Sequence, residues 1–139
     1  MALIDLVVEK IVKIPLESQD KPDTIRELVQ ILKDAGEIDD FDAVLKAVQD
    51  REDKQSTGLE QGIAVPHCKS DAVASLKLAI GIAKQPTNLF FLLVASPELS
   101  GPHVEALAEI AKLARSKAFC KALVHAENAK EVVDLLKGK

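Results

Sequence analysis

The sequence predicts a single α/β domain, spanning residues 1–139, in which helices flank both faces of a small mixed β-sheet. The length of 139 residues suits one domain rather than two. The apolar fraction of 47% and the net charge of −4 allow a proper core and exclude a disordered chain. The order of the patterns is a short strand, two helices, several strands and then more helices, which is typical of helices packed on one sheet.

The first third of the chain is predicted to form a strand and then a helix. Residues 11–14 are predicted as a short strand that Pro15 closes. The segment Asp20-Lys21-Pro22 opens a helix, because proline is tolerated in a first helical turn. Gly36 is expected to end this helix. Its apolar residues recur at helical spacing, at Ile25, Leu28, Val29 and Leu32.

A second helix is predicted to follow directly. Asp39 or Asp40 is expected to cap its start, and the pattern ends near Arg51 and Glu52. The apolar residues repeat the spacing of the first helix, at Phe41, Val44, Leu45 and Val48. The two helices are therefore each expected to bury one face.

The middle of the chain is predicted to supply most of the sheet. Residues 62–66 are predicted as a strand that stops at Pro66, and residues 76–83 as the strand after it. The run 89–95 is apolar at every position. Such a run is typical of a strand buried on both faces, so we expect it in the centre of the sheet.

The last third is predicted to be helical, after a loop at residues 97–102. The helix that begins near His103 is predicted to bury one apolar face, formed by Val104, Leu107, Ala108 and Ala111 and widened by Ile110 and Ala114. A short helix is predicted over residues 118–126. Asn128 is expected to cap the final helix, with Glu131 as its capping-box partner.

Composition excludes two classes of partner. The 18 basic residues are fewer than the 22 acidic ones, and the aromatic residues, 3% of the chain, are all phenylalanine. Neither a basic stripe nor a set of stacking platforms therefore indicates nucleic-acid binding. The longest apolar run, 89–95, is far shorter than the roughly 20 residues that cross a bilayer. We therefore expect no direct membrane insertion and a cytoplasmic protein.

The cysteine and glycine patterns exclude further chemistries. Cys68 and Cys120 belong to no C-x-x-C pair, so the sequence indicates neither a disulfide framework nor a structural zinc site. We expect no metal and no cofactor. Gly58 and Gly62 match neither a Walker A motif nor a dinucleotide fingerprint, which argues against a nucleotide-binding enzyme.

His67 is the strongest candidate for chemistry. It directly follows Pro66 at the end of a predicted strand, where a rigid sheet can aim a side chain, although a surface-loop histidine fits equally well. Neutral imidazole can attack phosphorus and leave a phosphohistidine. A Cys–His pair with Cys68 is disfavoured, since neighbouring residues of a strand point to opposite sides.

Three further positions have both a functional and a structural interpretation. Arg51 is either a solvated charge at a helix end or a phosphate clamp, to which the segment 56–58 could add hydroxyl and N–H donors. Position alone favours a surface role for His103 at a helix start. His125, near the end of a short helix, is interpreted as a structural cation that suits the helix dipole.

Two segments together carry a family resemblance: Arg51-Glu-Asp-Lys-Gln-Ser-Thr-Gly58 and Gly62-Ile-Ala-Val-Pro-His67. They resemble the signature of the IIA domain of the fructose/mannitol class in the bacterial phosphoenolpyruvate-dependent sugar phosphotransferase system (PTS), a class that includes the nitrogen-regulatory IIA proteins. The segment 91–97 and the placing of His103 before a helix follow the same pattern. The resemblance covers nearly the whole chain, and the combined motif is much more specific than its parts.

The resemblance implies a role for each matching residue. His67 matches the phosphorylated histidine of the family, Arg51 its active-site arginine and His103 its second active-site histidine. Thr57 and Gly58 lie in the matching active-site segment and are expected to contribute to phosphate binding. The implied fold, a small mixed sheet flanked by helices, agrees with the fold expected from the residue patterns.

The resemblance also implies partners. A IIA domain accepts its phosphoryl group from the phosphocarrier protein HPr and passes it to a IIB domain of a sugar permease, or keeps it as a regulatory mark. Two roles stay open: a phosphoryl relay in sugar uptake, and a nitrogen-regulatory type of protein whose phosphorylation state controls a regulatory target protein. A third is an interaction domain with a vestigial site, against which the intact Arg51, His67 and His103 argue.

The chain departs from the family pattern at two places. Cys68 follows the histidine where the family often has a small residue such as glycine, and we interpret it as a small apolar filler. The family usually has a longer turn, containing Gly and Asp, between the positions of Lys84 and Gln85. Either this connection is short here or residues are absent from the sequence.

Overall fold

The computed structural model describes residues 3–18, 20–54, 58–59, 63–73, 75–83 and 89–138. The five helices are α1 (Lys21–Asp34), α2 (Phe41–Lys54), α3 (Ser100–Ala114), α4 (Lys117–Val124) and α5 (Ala129–Lys137). The strands are β1 (Val12–Lys13), β2 (Gly58–Leu59), β3 (Ile63–Ala64), β4 (His67–Lys69), β5 (Lys77–Ile82) and β6 (Leu89–Ala95). Short 3-10 turns occupy Leu3–Leu6, Glu9–Ile11 and Pro97–Leu99.

The sheet is mixed in direction, as the sequence predicts. Its strand order is β1-β5-β6-β3-β2, with β4 also paired to β6. β5 runs parallel to β1 and antiparallel to β6, whereas β3 and β4 run parallel to β6, and β2 is antiparallel to β3. The described residues therefore form one open sheet with β6 in its interior.

Strands β3 and β4 are two segments of one interrupted strand. Ile63 pairs with Leu89 and His67 pairs with Leu93, which is the same register along β6. Pro66 has no N–H to donate, but its carbonyl accepts a hydrogen bond of 3.0 Å from the N–H of Leu93. The prediction that the strand stops at Pro66 is therefore wrong: pairing resumes at once, and His67 lies in the strand.

The helices form two layers around the sheet, which confirms the predicted fold class. Helices α1 and α2 contact each other and reach β5 and β4, while α3, α4 and α5 contact one another in turn and reach β6 and β1. All seven residues of β6 are buried. Because alternate residues of a strand point to opposite faces, both faces of the sheet are covered and the core runs through its centre.

Side-chain caps place the helix starts as the sequence predicts. Asp20 accepts the N–H of Asp23 at 2.9 Å to begin α1, and Asp40 rather than Asp39 caps α2, accepting the N–H of Ala43 at 3.1 Å. After α1, Gly36 takes a φ of 75°, the left-handed conformation that glycine adopts without strain.

The predicted capping box of α5 forms in a shifted version. Asn128 accepts the N–H of Glu131 at 2.9 Å, as expected. The Glu131 carboxylate, however, accepts the N–H of Glu127 at 2.8 Å, one residue before the capping position. One N–H before the helix is thereby satisfied together with one inside its first turn.

Helix α3 differs from its prediction in both start and face. It begins at Ser100, directly after a 3-10 turn, so residues 97–102 are not a loop. Its buried side chains are His103, Ala106 and Ile110, whereas Val104 is 62% exposed. The helical period was right and Ile110 is buried as predicted. The centre of the predicted face was wrong, because small alanines recur around the helix and a histidine occupies a core-facing position.

Two predicted features lie outside the described residues, and one expectation concerns the membrane. Thr57 and the connection around Lys84 and Gln85 lie outside the described residues. Within the part of the chain that is described, no helix has the length and apolar character needed to cross a membrane.

Candidate active site

Three elements from separate parts of the chain meet at one open cleft. The last turns of α2 contribute Arg51, strand β4 contributes His67, and the first turn of α3 contributes His103. The cleft has a volume of about 500 Å³. The structure therefore brings together the three side chains to which the sequence analysis assigned chemistry.

The hydrogen bonding of His67 determines which of its ring nitrogens is nucleophilic. Its Nδ1 lies 2.8 Å from the carbonyl oxygen of Val65, and a carbonyl only accepts hydrogen bonds, so the proton is assigned to Nδ1. In the neutral ring this leaves the lone pair on Nε2. The side chain is half-buried at the edge of the cleft. His67 is thus a fixed imidazole with an available basic nitrogen.

His103 is a buried neighbour of His67, not the surface residue that helix position alone favours. Only 4% of it is exposed, and the two ring centroids lie 5.4 Å apart at an interplanar angle of 61°. Its Nε2 is buried and has no hydrogen-bond partner among the described residues. An unpaired buried polar atom costs roughly 1–3 kcal/mol. Beside an open cleft, that nitrogen is available to a bound group.

The electrostatic setting keeps His103 neutral. The pKa of His103 is lowered to about 4, first by burial and then by repulsion from the protonated form of His67 and from Lys69. At pH 7 the ring therefore offers a hydrogen bond and no charge. In the resting protein, His103 is therefore suited to hydrogen bonding rather than to supplying positive charge.

The remaining predicted residues are placed as follows. Arg51 is half-buried in the last turn of α2, where a cation also suits the helix dipole. Gly58 forms part of the edge strand β2, opposite Ala64. His125 caps the C-terminus of α4, its Nδ1 lying 2.8 Å from the carbonyl of Lys121, which confirms its position at a helix end.

Cys68 does not share the chemistry of its neighbour. It is buried, and that burial raises the pKa of its thiol to about 12, so the thiol stays protonated. A Cys–His nucleophile pair is therefore not formed here. Across the described ranges of the chain, no three His, Cys, Asp or Glu side chains gather closely enough to hold a metal ion.

The sequence analysis missed Lys69 and Val104, which also line the cleft. Lys69 lies two residues after His67 in β4, and this spacing places both on the same side of a strand. This two-residue spacing would have identified Lys69 as a site residue if His67 had been placed inside a strand. Val104 was assigned to the buried face of α3, and it instead stands exposed at the edge of the cleft.

The pKa of His103 predicts an acid-sensitive stability. In the unfolded chain the ring titrates near 6.5, whereas in the fold it titrates near 4, so the unfolded state binds the extra proton between these values. The free energy of unfolding should fall as the pH drops from about 6.5 to 4, by up to about 3 kcal/mol. Urea unfolding across this range measures the effect.

A matched pair of variants isolates the contribution of His103. His103→Gln should flatten the profile between pH 6.5 and 4, whereas His125→Gln, at the exposed end of α4, should leave it unchanged. Glu27 affects a separate range: burial raises its pKa, but hydrogen bonds from Lys13 and from the backbone lower it overall to about 2. Its contribution is lost only below about pH 4.5. An unaltered slope in His103→Gln would contradict a neutral buried His103.

Comparison with known proteins identifies the family. A family model described as the phosphoenolpyruvate-dependent sugar phosphotransferase system, EIIA 2, matches residues 5–139. The chain belongs to this family. The PTS system fructose-specific EIIABC component of Bacillus subtilis is 31% identical over 98% of this chain. That alignment spans 146 positions, more than the 139 residues of this chain, so the Bacillus protein has residues without a counterpart here.

The EIIA relatives are named either as fructose-specific PTS components or as nitrogen regulatory proteins. A nitrogen regulatory protein of Bradyrhizobium diazoefficiens is 28% identical over 98% of this chain and 95% of its own length. By contrast, the chain spans only 23% of the length of the Bacillus EIIABC component. The family model and the relatives therefore identify this chain as an EIIA domain, and its relatives carry both fructose-specific and nitrogen-regulatory names.

Solved structures share the fold. Nitrogen regulatory protein IIA-Ntr from Neisseria meningitidis superposes with a TM-score of 0.88 at 23% identity, covering 96% of this chain and 98% of that one. The enzyme IIAMtl chain of Escherichia coli, solved in complex with phosphorylated enzyme IIBMtl, gives 0.77 at 19% identity, with 94% and 96% coverage. At these identities the likeness concerns the fold alone.

Proposed function

We propose that this EIIA protein relays a phosphoryl group through His67, accepting it from phosphorylated HPr and passing it to a IIB domain during sugar uptake in the cytoplasm. The observation that carries the proposal is the hydrogen bond from Nδ1 of His67 to Val65, which leaves Nε2 as a nucleophile beside the cleft. Arg51 and His103 lie around the same cleft. Thr57 and Gly58 remain candidates for phosphate binding on the strength of the motif alone.

The chemical step needs positioning and charge rather than a cofactor. The Nε2 lone pair of His67 attacks the phosphorus of the donor phosphohistidine in line. A P–N bond forms to His67 while the P–N bond to the donor breaks, and its electron pair stays on the donor nitrogen. Arg51 is suited to the equatorial oxygens, because guanidinium presents paired donors to phosphate. The neutral His103 would donate a hydrogen bond from Nε2.

The donor and acceptor must both be proteins that can reach the open side of the cleft. Val104 marks that side, since it is one of two large apolar side chains among the described residues that stand exposed, at 62%; the other is Val8 at 37%. An exposed apolar residue beside a reactive group is a typical contact in a transient interface.

Val104→Asp is expected to weaken transfer from HPr about tenfold, on the scale of burying a charge at a contact. The loss should appear chiefly in the concentration of HPr needed for half-maximal rate. Val8→Asp is the matched control, because Val8 is outside the cleft and should leave transfer unchanged. Equal effects of the two substitutions would contradict a docking role for Val104.

A regulatory role is the second candidate. It is supported by the nitrogen regulatory relative, which matches this chain over almost the full length of both proteins. In that role phosphorylation of His67 changes the binding of a regulatory target protein. Incubation of the phosphorylated protein with IIB domains separates the two roles: transfer to a IIB domain supports the relay, and retention of the phosphoryl group with all of them supports regulation.

Intact-protein mass spectrometry tests the proposal directly. After incubation with phosphoenolpyruvate, enzyme I and HPr, we expect a gain of one acid-labile phosphate. Omission of HPr should prevent the gain. If the mass stays unchanged while a control IIA domain is labelled in the same mixture, the proposal is wrong and a vestigial interaction domain is favoured.

A further inference from the structure

Lys69 shares the strand and the strand face of His67. Both lie in β4, with buried Cys68 between them, so the two flanking side chains extend from the opposite side to the thiol. His67 is half-buried and Lys69 is exposed, and both line the cleft. Pairing with Leu93 and Ala95 of the buried strand β6 holds the backbone of both residues in place. The positions of imidazole and ammonium are therefore linked by a rigid segment.

The positive charge of Lys69 acts electrostatically on the buried ring of His103. Together with His67, it contributes to lowering the pKa of His103, whose ring lies 5.4 Å from that of His67. A cation that acts on this buried ring is close enough to act on a group bound between the two rings. Lys69 therefore belongs to the electrostatic environment of the reaction.

Phosphorylation of His67 adds negative charge to the cleft, and the cations placed closest along the chain to this side chain are best suited to neutralise it. A protein-bound phosphoryl group carries a charge of about −1.5 to −2 at pH 7. His103 is neutral there and contributes a hydrogen bond only. Asp50, also at the cleft, opposes the charge of its neighbour Arg51. Arg51 and Lys54 line the cleft from α2, whereas Lys69 is the cation that lines it from β4, the strand of His67 itself.

We propose that Lys69 is a second phosphoryl-binding residue, whose ammonium binds an oxygen of the group on Nε2 of His67, opposite the guanidinium of Arg51. The inference rests on the proposed function and adds a residue to it. The transition state and the phosphorylated product both gain from this contact, so Lys69 speeds acceptance from HPr and favours the phosphorylated form of the protein. Because Lys69 is exposed, its contribution is screened by salt.

The experiment compares transfer from phosphorylated HPr to the wild type, Lys69→Gln and Lys69→Arg. We expect Lys69→Gln to lower the rate about tenfold and to shift the transfer equilibrium toward phosphorylated HPr by a similar factor. Lys69→Arg should restore most of both, since it keeps the charge. Lys46→Gln is the matched control: Lys46 is exposed on α2, is not a cleft residue, and should leave both quantities unchanged.

A second measurement reports on the site without the reaction. Histidine NMR titration of the unphosphorylated protein should show a higher pKa for His103 in Lys69→Gln than in the wild type, because a positive charge has been removed. If Lys69 has only a structural role, the transfer rate of Lys69→Arg should exceed that of Lys69→Gln only as far as the arginine variant is the more stable protein. That result, or wild-type transfer in Lys69→Gln, would overturn the inference.

The outcomes also separate this inference from the proposed function. If the wild type accepts no phosphoryl group on His67, the proposed function fails. Lys54 is a further lysine that lines the cleft. If the wild type accepts the phosphoryl group and Lys54→Gln lowers the transfer rate while Lys69→Gln does not, the proposed relay is supported and the assignment of Lys69 is wrong.

Discussion

His67→Ala is expected to abolish phosphoryl acceptance while the fold is retained. The substitution removes the Nε2 lone pair that attacks phosphorus, and alanine offers no replacement nucleophile. The side chain is half-buried and makes one local hydrogen bond, to Val65, so its loss should lower the free energy of unfolding by only about 1 kcal/mol. Phosphate incorporation measured by intact mass, alongside thermal unfolding, checks both halves of the expectation.

His125→Ala is the matched control for this experiment. Its Nδ1 also lies 2.8 Å from a backbone carbonyl, that of Lys121, yet it caps α4 away from the cleft. It should be phosphorylated like the wild type. A phosphate that persists in His67→Ala, on His103 or on any other residue, would contradict the assignment of His67 as the acceptor.

Arg51→Ala is expected to slow phosphoryl transfer about 10²- to 10³-fold, the usual effect of removing one well-placed electrostatic donor. Arg51 lines the cleft from the last turn of α2, and its guanidinium is the fork best matched to phosphate oxygens. Single-turnover transfer from phosphorylated HPr measures the rate. The affinity for HPr should change less than the rate, because the charge acts mainly in the transition state.

Arg51→Lys tests whether charge alone explains the effect. Lysine keeps the positive charge but loses the paired donors, so we expect a partial recovery to about tenfold below the wild type. A rate within twofold of the wild type in Arg51→Ala would return Arg51 to the alternative interpretation, a cation that only stabilises the end of α2.

The parts of the fold that were predicted correctly are those governed by local signals. The central strand β6 was predicted with its observed bounds, Leu89–Ala95, because every residue in it is apolar and polar residues flank it on both sides. The start of α1 followed from the Asp20–Pro22 segment, and its end from Gly36. Both kinds of signal depend on neighbouring residues only.

The errors arose where tertiary contacts decide. The buried face of α3 is the one that contacts β6. Because alanines recur around the helix, several of its faces are similarly apolar in the sequence. The core therefore accepts His103 while Val104 remains exposed. Likewise, the strand beyond Pro66 resumes because β6 lies alongside, a pairing between segments that are distant in sequence.

The candidate site shows the same division. The sequence was sufficient to select His67, Arg51 and His103 as site residues, because together they match a family signature. Their meeting depends on α2, β4 and α3 converging, which no spacing reveals. The tautomer of His67 depends on its hydrogen bond to Val65, and the neutral state of His103 depends on its burial. Neither can be inferred without the three-dimensional structure. Lys69 was missed because the strand was predicted to end before it.

The most direct test of the account is the position of the phosphoryl group on the ring of His67. Nitrogen-15 and phosphorus NMR of the phosphorylated protein distinguish the two ring nitrogens. We expect the phosphoryl group on Nε2, with the proton still on Nδ1 and donated to the carbonyl of Val65. A phosphoryl group on Nδ1 of His67, or on another residue, would contradict the geometry on which the proposed function depends.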